Sequence, residues 1–271
     1  MVPFAYPDYP PQTVQSQIDA SCRALVEAGL NVTCAPAVIT DDDVLPALHR
    51  LRQLDYDLIL ALVVSWVEAP LFVATLRPFL KQPILLWSHT TFSQDGVGLY
   101  GMPDSERLMA RIVSFARAAA AVRALAHARV GLLGYASMGM YTGTIDHTRL
   151  RYQLGPELDH LDQYEVVASF EQVSDTEVDA WVPRSGTWQI DAGVSSDDLR
   201  KVLRMAAAVR HIANERRWDA LTIKCQYELS RTFGLAPCLP LSILGDELVC
   251  SCEGDVPLVV SQLMLHFLTG E

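Results

Sequence analysis

The stretch from Asp57 to Trp66, DLILALVVSW, decides how the rest of the chain is read. Its apolar residues run on without the polar alternation of a half-exposed strand, so a strand here is covered on both faces. The run is also too short to cross a bilayer, which takes about 20 apolar residues. Strands covered on both faces belong to parallel sheets in layered α/β domains. Asn31 to Ile39, NVTCAPAVI, and Pro83 to Ser88, PILLWS, read as strands of the same kind. Helix-like segments flank them, among them Thr13 to Leu30, TVQSQIDASCRALVEAGL, which closes on Gly29 as a C-terminal signal.

Further on, Ser105 to Ala128 forms one long helical pattern, opened by Pro103 and Asp104 with Glu106 in its first turn. A new strand, RVGLLGY (Arg129 to Tyr135), follows at once and places a domain boundary near residue 128. The expectation is therefore α/β in two successive layered domains with mainly parallel sheets, 1–128 and 129–271. The second domain continues through a helix (Ser195 to Arg217), the strand DALTIKC (Asp219 to Cys225) and a closing helix after Glu253. The segment Val173 to Ser195 shows no periodicity and reads as irregular.

Composition narrows the function classes. With 271 residues, 50% of them hydrophobic, the chain can build a sizeable core. A net charge of −11 and no Lys/Arg-rich run speak against a nucleic-acid partner. The opening MVPFAYPDYP lacks the basic-then-apolar layout of a signal peptide, so the expectation is a soluble, cytoplasmic protein with no membrane partner. Of the six cysteines, only Cys250 and Cys252 are close in sequence, and C-x-C on a strand sends both side chains to one face. C-x-x-C pairs are absent, and reduced thiols rather than a zinc site are expected.

Three stretches carry candidate chemistry. Gly134 to His147, GYASMGMYTGTIDH, directly follows a strand; its glycines let a backbone approach a ligand, or simply make a turn. Lys224, Cys225 and Gln226 end a strand, where α/β sheets bind ligands. Lys224 reads as a charged contact or as a solvated strand-end lysine, and Gln226 as an amide that can both donate to and accept from sugar hydroxyls. In CEGD, Glu253 and Asp255 offer oxygens to Mn²⁺ or another divalent cation, or they cap the closing helix; by pattern alone the capping reading is the stronger.

Taken together, these stretches resemble the N-terminal and middle parts of the L-fucose isomerase family, metal-dependent aldose-ketose isomerases that include the D-arabinose isomerases. The order of pieces carries the resemblance: Trp66 after a strand, SFARAAAAV (Ser114 to Val122) in the long helix, SMG-x-x-x-G-x-I-DH (Ser137 to His147), K-C-Q, CEGD, and a helix ending LTG. The resemblance implies that Glu253 binds a divalent metal ion and serves in proton transfer. It implies substrate contacts from Gln226, Lys224, Met138 and Trp66, with Trp66 offered to the sugar by a neighbouring subunit of a homo-oligomer. Lys224 stands where the family has a glutamine. The family's second metal carboxylate and its histidine ligand lie beyond the LTG step, in part in a further C-terminal domain that this chain lacks; His266, inside the apolar helix, does not replace them. The resemblance thus implies an isomerase whose site is incomplete or shared with a separate C-terminal half, weak metal binding at most, and little or no turnover by this chain alone. The alternatives are a non-catalytic sugar- or metabolite-binding module, and a remnant that retains only oligomer contacts.

Overall fold

The computed structural model describes residues 1–270 except 89, 95–96, 102–105, 136–138 and 186–187; of 90–94, 97–101, 142 and 185 it describes the backbone alone. The fold is α/β, and the chain divides into two compact units, Met1–Ala120 and Ala121–Glu271.

In the first unit, β1 (Val2–Phe4) leads into α1 (Pro11–Glu27), α2 (Asp41–Gln53), β2 (Ile59–Val63), α3 (Ala69–Leu76) and β3 (Ile84–Ser88). The three strands form a parallel sheet in the order β1-β2-β3. Four of the five residues of β2 are buried, as the unbroken apolar run requires. An antiparallel hairpin, β4 (Thr90–Gln94) and β5 (Val97–Gly101), follows and precedes α4 (Glu106–His127), which crosses the division between the units. Helix α1 closes where expected, with Gly29 at φ 85 beyond the cap.

Asn31 to Ile39 departs from the strand reading. It runs beside β1, with Ala35 donating to the Met1 carbonyl at 2.9 Å and Val38 to that of Pro3 at 2.9 Å, but only one bridge, Phe4 to Val38, forms. Pro36 has no N–H to give, which interrupts the ladder and leaves an extended edge segment. The strand that does pair at this edge is β1, three residues at the start of the chain.

In the second unit the order is β6 (Arg129–Leu133), α5 (His147–Gln153), β7 (Glu157–Leu161), α6 (Gln163–Gln172), α7 (Asp175–Trp181), α8 (Ser196–Arg216), β8 (Ala220–Ile223), α9 (Cys238–Leu244), β9 (Val249–Cys252) and α10 (Val256–Thr269). The segment read as irregular therefore holds a helix, α7. Its start is a capping box in which the Ser174 hydroxyl accepts from Glu177 N at 3.3 Å and the Glu177 carboxylate accepts from Ser174 N at 2.8 Å.

The four strands are parallel in the order β7-β6-β8-β9. Against one face lie Val256, Val259, Val260 and Leu263 of α10 with Leu132 and Ala220; another cluster joins Met205 and Val209 of α8 to Leu133, Leu221 and Ile223. Gly131 makes one of these contacts possible: a Cβ there would fall 2.2 Å from Cε3 of Trp218, whose indole N–H donates to Asp159 at 2.9 Å. No helix among the described residues is long and apolar enough to cross a membrane.

Candidate functional site

The strand order of the second sheet reverses between β6 and β8: the chain steps from β6 to β7 on one side, then crosses to β8 on the other. In open α/β sheets the crevice beyond the carboxyl ends at such a switch point is where ligands bind. Three of the sequence stretches end there. Gly134 and Tyr135 follow β6, Lys224 to Gln226 follow β8, and Glu253 to Asp255 follow β9, with Lys224 and Glu253 each one residue past the paired Ile223 and Cys252. The glycine-rich loop also reaches the CEGD turn, since a Cβ on Gly143 would stand 3.8 Å from Cα of Asp255.

Lys224 is the centre of this edge. Its side chain is 0% exposed, so the solvated strand-end reading does not hold. The ammonium donates to the Tyr135 hydroxyl at 2.6 Å and to the Glu228 carboxylate, and lies 3.8 Å from the centre of the Tyr135 ring. Burial pulls the ammonium towards deprotonation, but the bonds to Glu228 and Tyr135 outweigh it and hold the pKa above the usual lysine value. Reciprocally, Lys224 holds Glu228 below the usual carboxylate range. The buried Gln163 amide donates to the Lys224 carbonyl, and Gly134 (φ 93) fits against both, a Cβ there being 3.0 Å from Cγ of Gln163 and 3.1 Å from Cβ of Lys224.

Backbone strain is concentrated beside it. Among the described residues, three other than glycine have positive φ: Arg217, Tyr227 and Glu253. Arg217 is an ordinary left-handed helix end. Tyr227, at φ 73 and ψ −76, adopts a rare γ-turn conformation directly after the exposed Gln226 and before the π-helical turn Glu228–Phe233. Glu253 has φ 68 and is followed by Gly254 at φ 68, whose N–H donates to the Ile223 carbonyl at 3.0 Å. Residues held at such angles tend to cluster at functional sites.

The CEGD carboxylates separate in role. Asp255 caps α10, accepting from Leu258 N at 2.9 Å. Glu253 precedes the cap, half-buried at the strand end. Among the described residues no group of three or more His, Cys, Asp or Glu side chains is placed to hold a metal ion. Divalent cations want several oxygen ligands, so these residues fit one contact to a cation, not a closed site.

The remaining expected residues fall elsewhere. Trp66, 50% exposed, follows β2 at the carboxyl edge of the first sheet, its ring edge-on to Tyr6 with centroids 4.7 Å apart. Met138 lies outside the described residues. In the D-H pair, Asp146 caps α5 by accepting from Arg149 N at 3.0 Å, and the His147 ring lies 4.4 Å from that of His160. A cavity of about 300 Å³ in the first unit, lined by Met1, Tyr56, Asp57 and Leu58 among others, lies at the amino ends of β1 and β2, the edge where such sheets do not bind ligands.

Sequence reading missed Tyr135, Gln163, Tyr227 and Glu228. Glu228 had a signal, its spacing of four residues from Lys224, whereas Gln163 meets Lys224 across 61 positions and had none.

No family model matches the chain. The chain is similar to the sulfoquinovose isomerases of Priestia aryabhattai and Priestia megaterium (strain ATCC 12872 / QMB1551), each 23% identical over 248 residues, 82% of this chain and 55% of the relative. It is similar also to the sulfoquinovose isomerase of Alkalicoccus urumqiensis, 27% identical over 176 residues, 64% of this chain and 39% of the relative. The chain spans about half the length of the curated relatives it matches. All three are sugar isomerases by name, at a distance that leaves the specific family open.

Proposed function

We propose that the chain carries part of the site of an aldose-ketose isomerase, with a sugar bound beyond the carboxyl ends of β6, β8 and β9. The observation that carries this reading is that Tyr135, Lys224, Gln226 and the strained Glu253 all follow the carboxyl ends of three neighbouring strands, β6, β8 and β9, at and beside the switch point, in a chain similar to three sugar isomerases. Isomerisation moves a proton between C1 and C2 of the sugar, and a carboxylate fixed at a strand end suits that transfer. In this reading Glu253 moves the proton and Gln226 binds hydroxyls. Lys224, neutralised by Glu228, holds the Tyr135 hydroxyl in place rather than meeting an anion itself. Met138 and Trp66 add sugar contacts, Trp66 to a neighbouring copy in an oligomer. A divalent cation such as Mn²⁺, when bound, would polarise the sugar carbonyl, and Glu253 is its candidate ligand among the described residues.

Deuterium uptake at C2 of sulfoquinovose in D₂O, followed by NMR with and without added Mn²⁺, tests the proposal. Slow uptake that Glu253→Gln removes supports it, and the incompleteness of the metal ligand set makes the expected rate low. Sugar binding with no exchange under either condition would favour the second reading, a non-catalytic sugar-binding module. That reading draws on Asp255 being committed to its cap and on the absence of a metal-ligand group among the described residues.

A further inference from the structure

Away from this edge, the first unit brings two thiols together. Cys22 lies on α1 and Cys34 on the extended segment beside β1, with their sulfurs 2.6 Å apart. That is far nearer to the about 2.05 Å of a covalent S–S bond than the contact of two cysteines that merely share a core. Both backbones are pinned independently. The Cys34 segment is held by the Met1 ammonium donating to the Thr33 carbonyl at 2.7 Å and by Ala35 N on the Met1 carbonyl at 2.9 Å. Helix α1 is held through its buried face of Val14, Ile18, Ser21 and Leu25. Both thiols are half-buried, so small molecules reach them. The other paired thiols, Cys225 and Cys252, pack in the main core cluster of the second unit.

We propose that Cys22 and Cys34 are a reversible thiol-disulfide site, oxidised by a low-molecular-weight disulfide. The Cys22 thiolate attacks one sulfur of the oxidant RSSR, forming a mixed disulfide and releasing one RS⁻. Cys34 then gives up its proton to solvent and attacks Cys22 Sγ; the Cys22–Cys34 bond forms and the second RS⁻ leaves. Both released thiolates take up protons, so two thiols lose two electrons and RSSR becomes two RSH. Burial, and then the contact with Cys22, push the Cys34 thiol up to about 12, so its thiolate is scarce at neutral pH and resolution by Cys34 is a slow step. Closure accordingly accelerates as pH rises. The bridge links positions 12 apart and constrains the unfolded chain, tying α1 to the edge beside β1.

The test equilibrates the full chain with glutathione and its disulfide at graded ratios, quenches with acid, alkylates free thiols and maps peptides by mass. The expected result is a Cys22–Cys34 cross-link with the other four cysteines alkylated, reversed by dithiothreitol. The oxidised chain should melt about 5 °C above the reduced one, and Cys34→Ser should stop at a mixed disulfide on Cys22. Both cysteines remaining alkylated under strongly oxidising ratios, separate glutathione adducts on each, or a bridge from either to another cysteine would each overturn the proposal.

Discussion

The two parallel sheets leave their strands differently at the carboxyl ends. Beyond β2 the chain passes into ordinary contacts: the buried Ser65 hydroxyl accepts from Tyr6 N at 2.8 Å, and the Trp66 ring leans on Tyr6. No non-glycine residue described in the first unit has positive φ. Beyond β6, β8 and β9 the chain instead buries a lysine, neutralises it with an outlying carboxylate, and holds Tyr227 and Glu253 at φ values that other L-residues avoid. Each such residue costs on the order of 1–3 kcal/mol, a cost that folding alone gives no reason to retain. Equal architecture with unequal strain is what separates a structural edge from a candidate site.

The largest effect should come from the chemistry of that edge. Glu253→Gln keeps shape and removes the proposed base, so under that proposal C2 exchange should fall by about 10²–10⁴-fold with melting unchanged, whereas Trp66→Ala in the other unit should leave far more of it. Next, the sheet interior should prove as intolerant as the edge is strained: Gly131→Ala drives a methyl into the Trp218 indole and should cost about 1–3 kcal/mol in urea unfolding.

The ion pair should behave asymmetrically. Glu228→Gln leaves a fully buried ammonium without its counter-charge and should lower Tm by several degrees, while Lys224→Met fills the same space, leaves only a solvent-facing carboxylate, and should cost less. Equal losses would mean that Lys224 is not sealed in as described.

A smaller effect of opposite sign tests strain directly. Glu253→Gly relieves the left-handed backbone and should stabilise the chain by about 1 kcal/mol while eliminating exchange, a trade that no substitution at Trp66 should reproduce.

The smallest effect is in the acid limb. Partial desolvation of the largely exposed His160, reinforced by the neighbouring His147, lowers its pKa slightly, so the unfolded chain takes up a proton a little more readily than the folded one. Stability from this group is therefore present above the ordinary histidine pKa and lost as pH falls from about 7 towards 5. His160→Gln should flatten that part of the stability-pH curve.

The legible parts of the molecule were those with long, unbroken signals. DLILALVVSW and the spans of α1, α4 and α8 declared themselves by burial pattern and period. Strand β1 did not, because three residues centred on a proline, Val2–Phe4, carry no period, and Asn31 to Ile39 misled because its apolar composition outweighed the N–H that Pro36 withholds. Helix α7 was readable from Ser174 and Glu177 alone, a cap without a clear apolar stripe behind it. At the site, the stretches around Gly134, Lys224 and Glu253 were visible as strand ends. Their meeting depends on the β7-β6-β8-β9 order, and the partners Tyr135 and Gln163 reach Lys224 from 89 and 61 positions away.

The most direct measurement is amide hydrogen exchange of the full chain, by mass spectrometry, with and without saturating sulfoquinovose. Protection confined to the segments after β6, β8 and β9, around Tyr135, Lys224 to Glu228 and Glu253 to Val256, is the predicted result. Protection instead around Tyr56 and Asp57 at the amino ends of the first sheet, or no protection anywhere at saturating sugar, would contradict the assignment of the site to the strained edge.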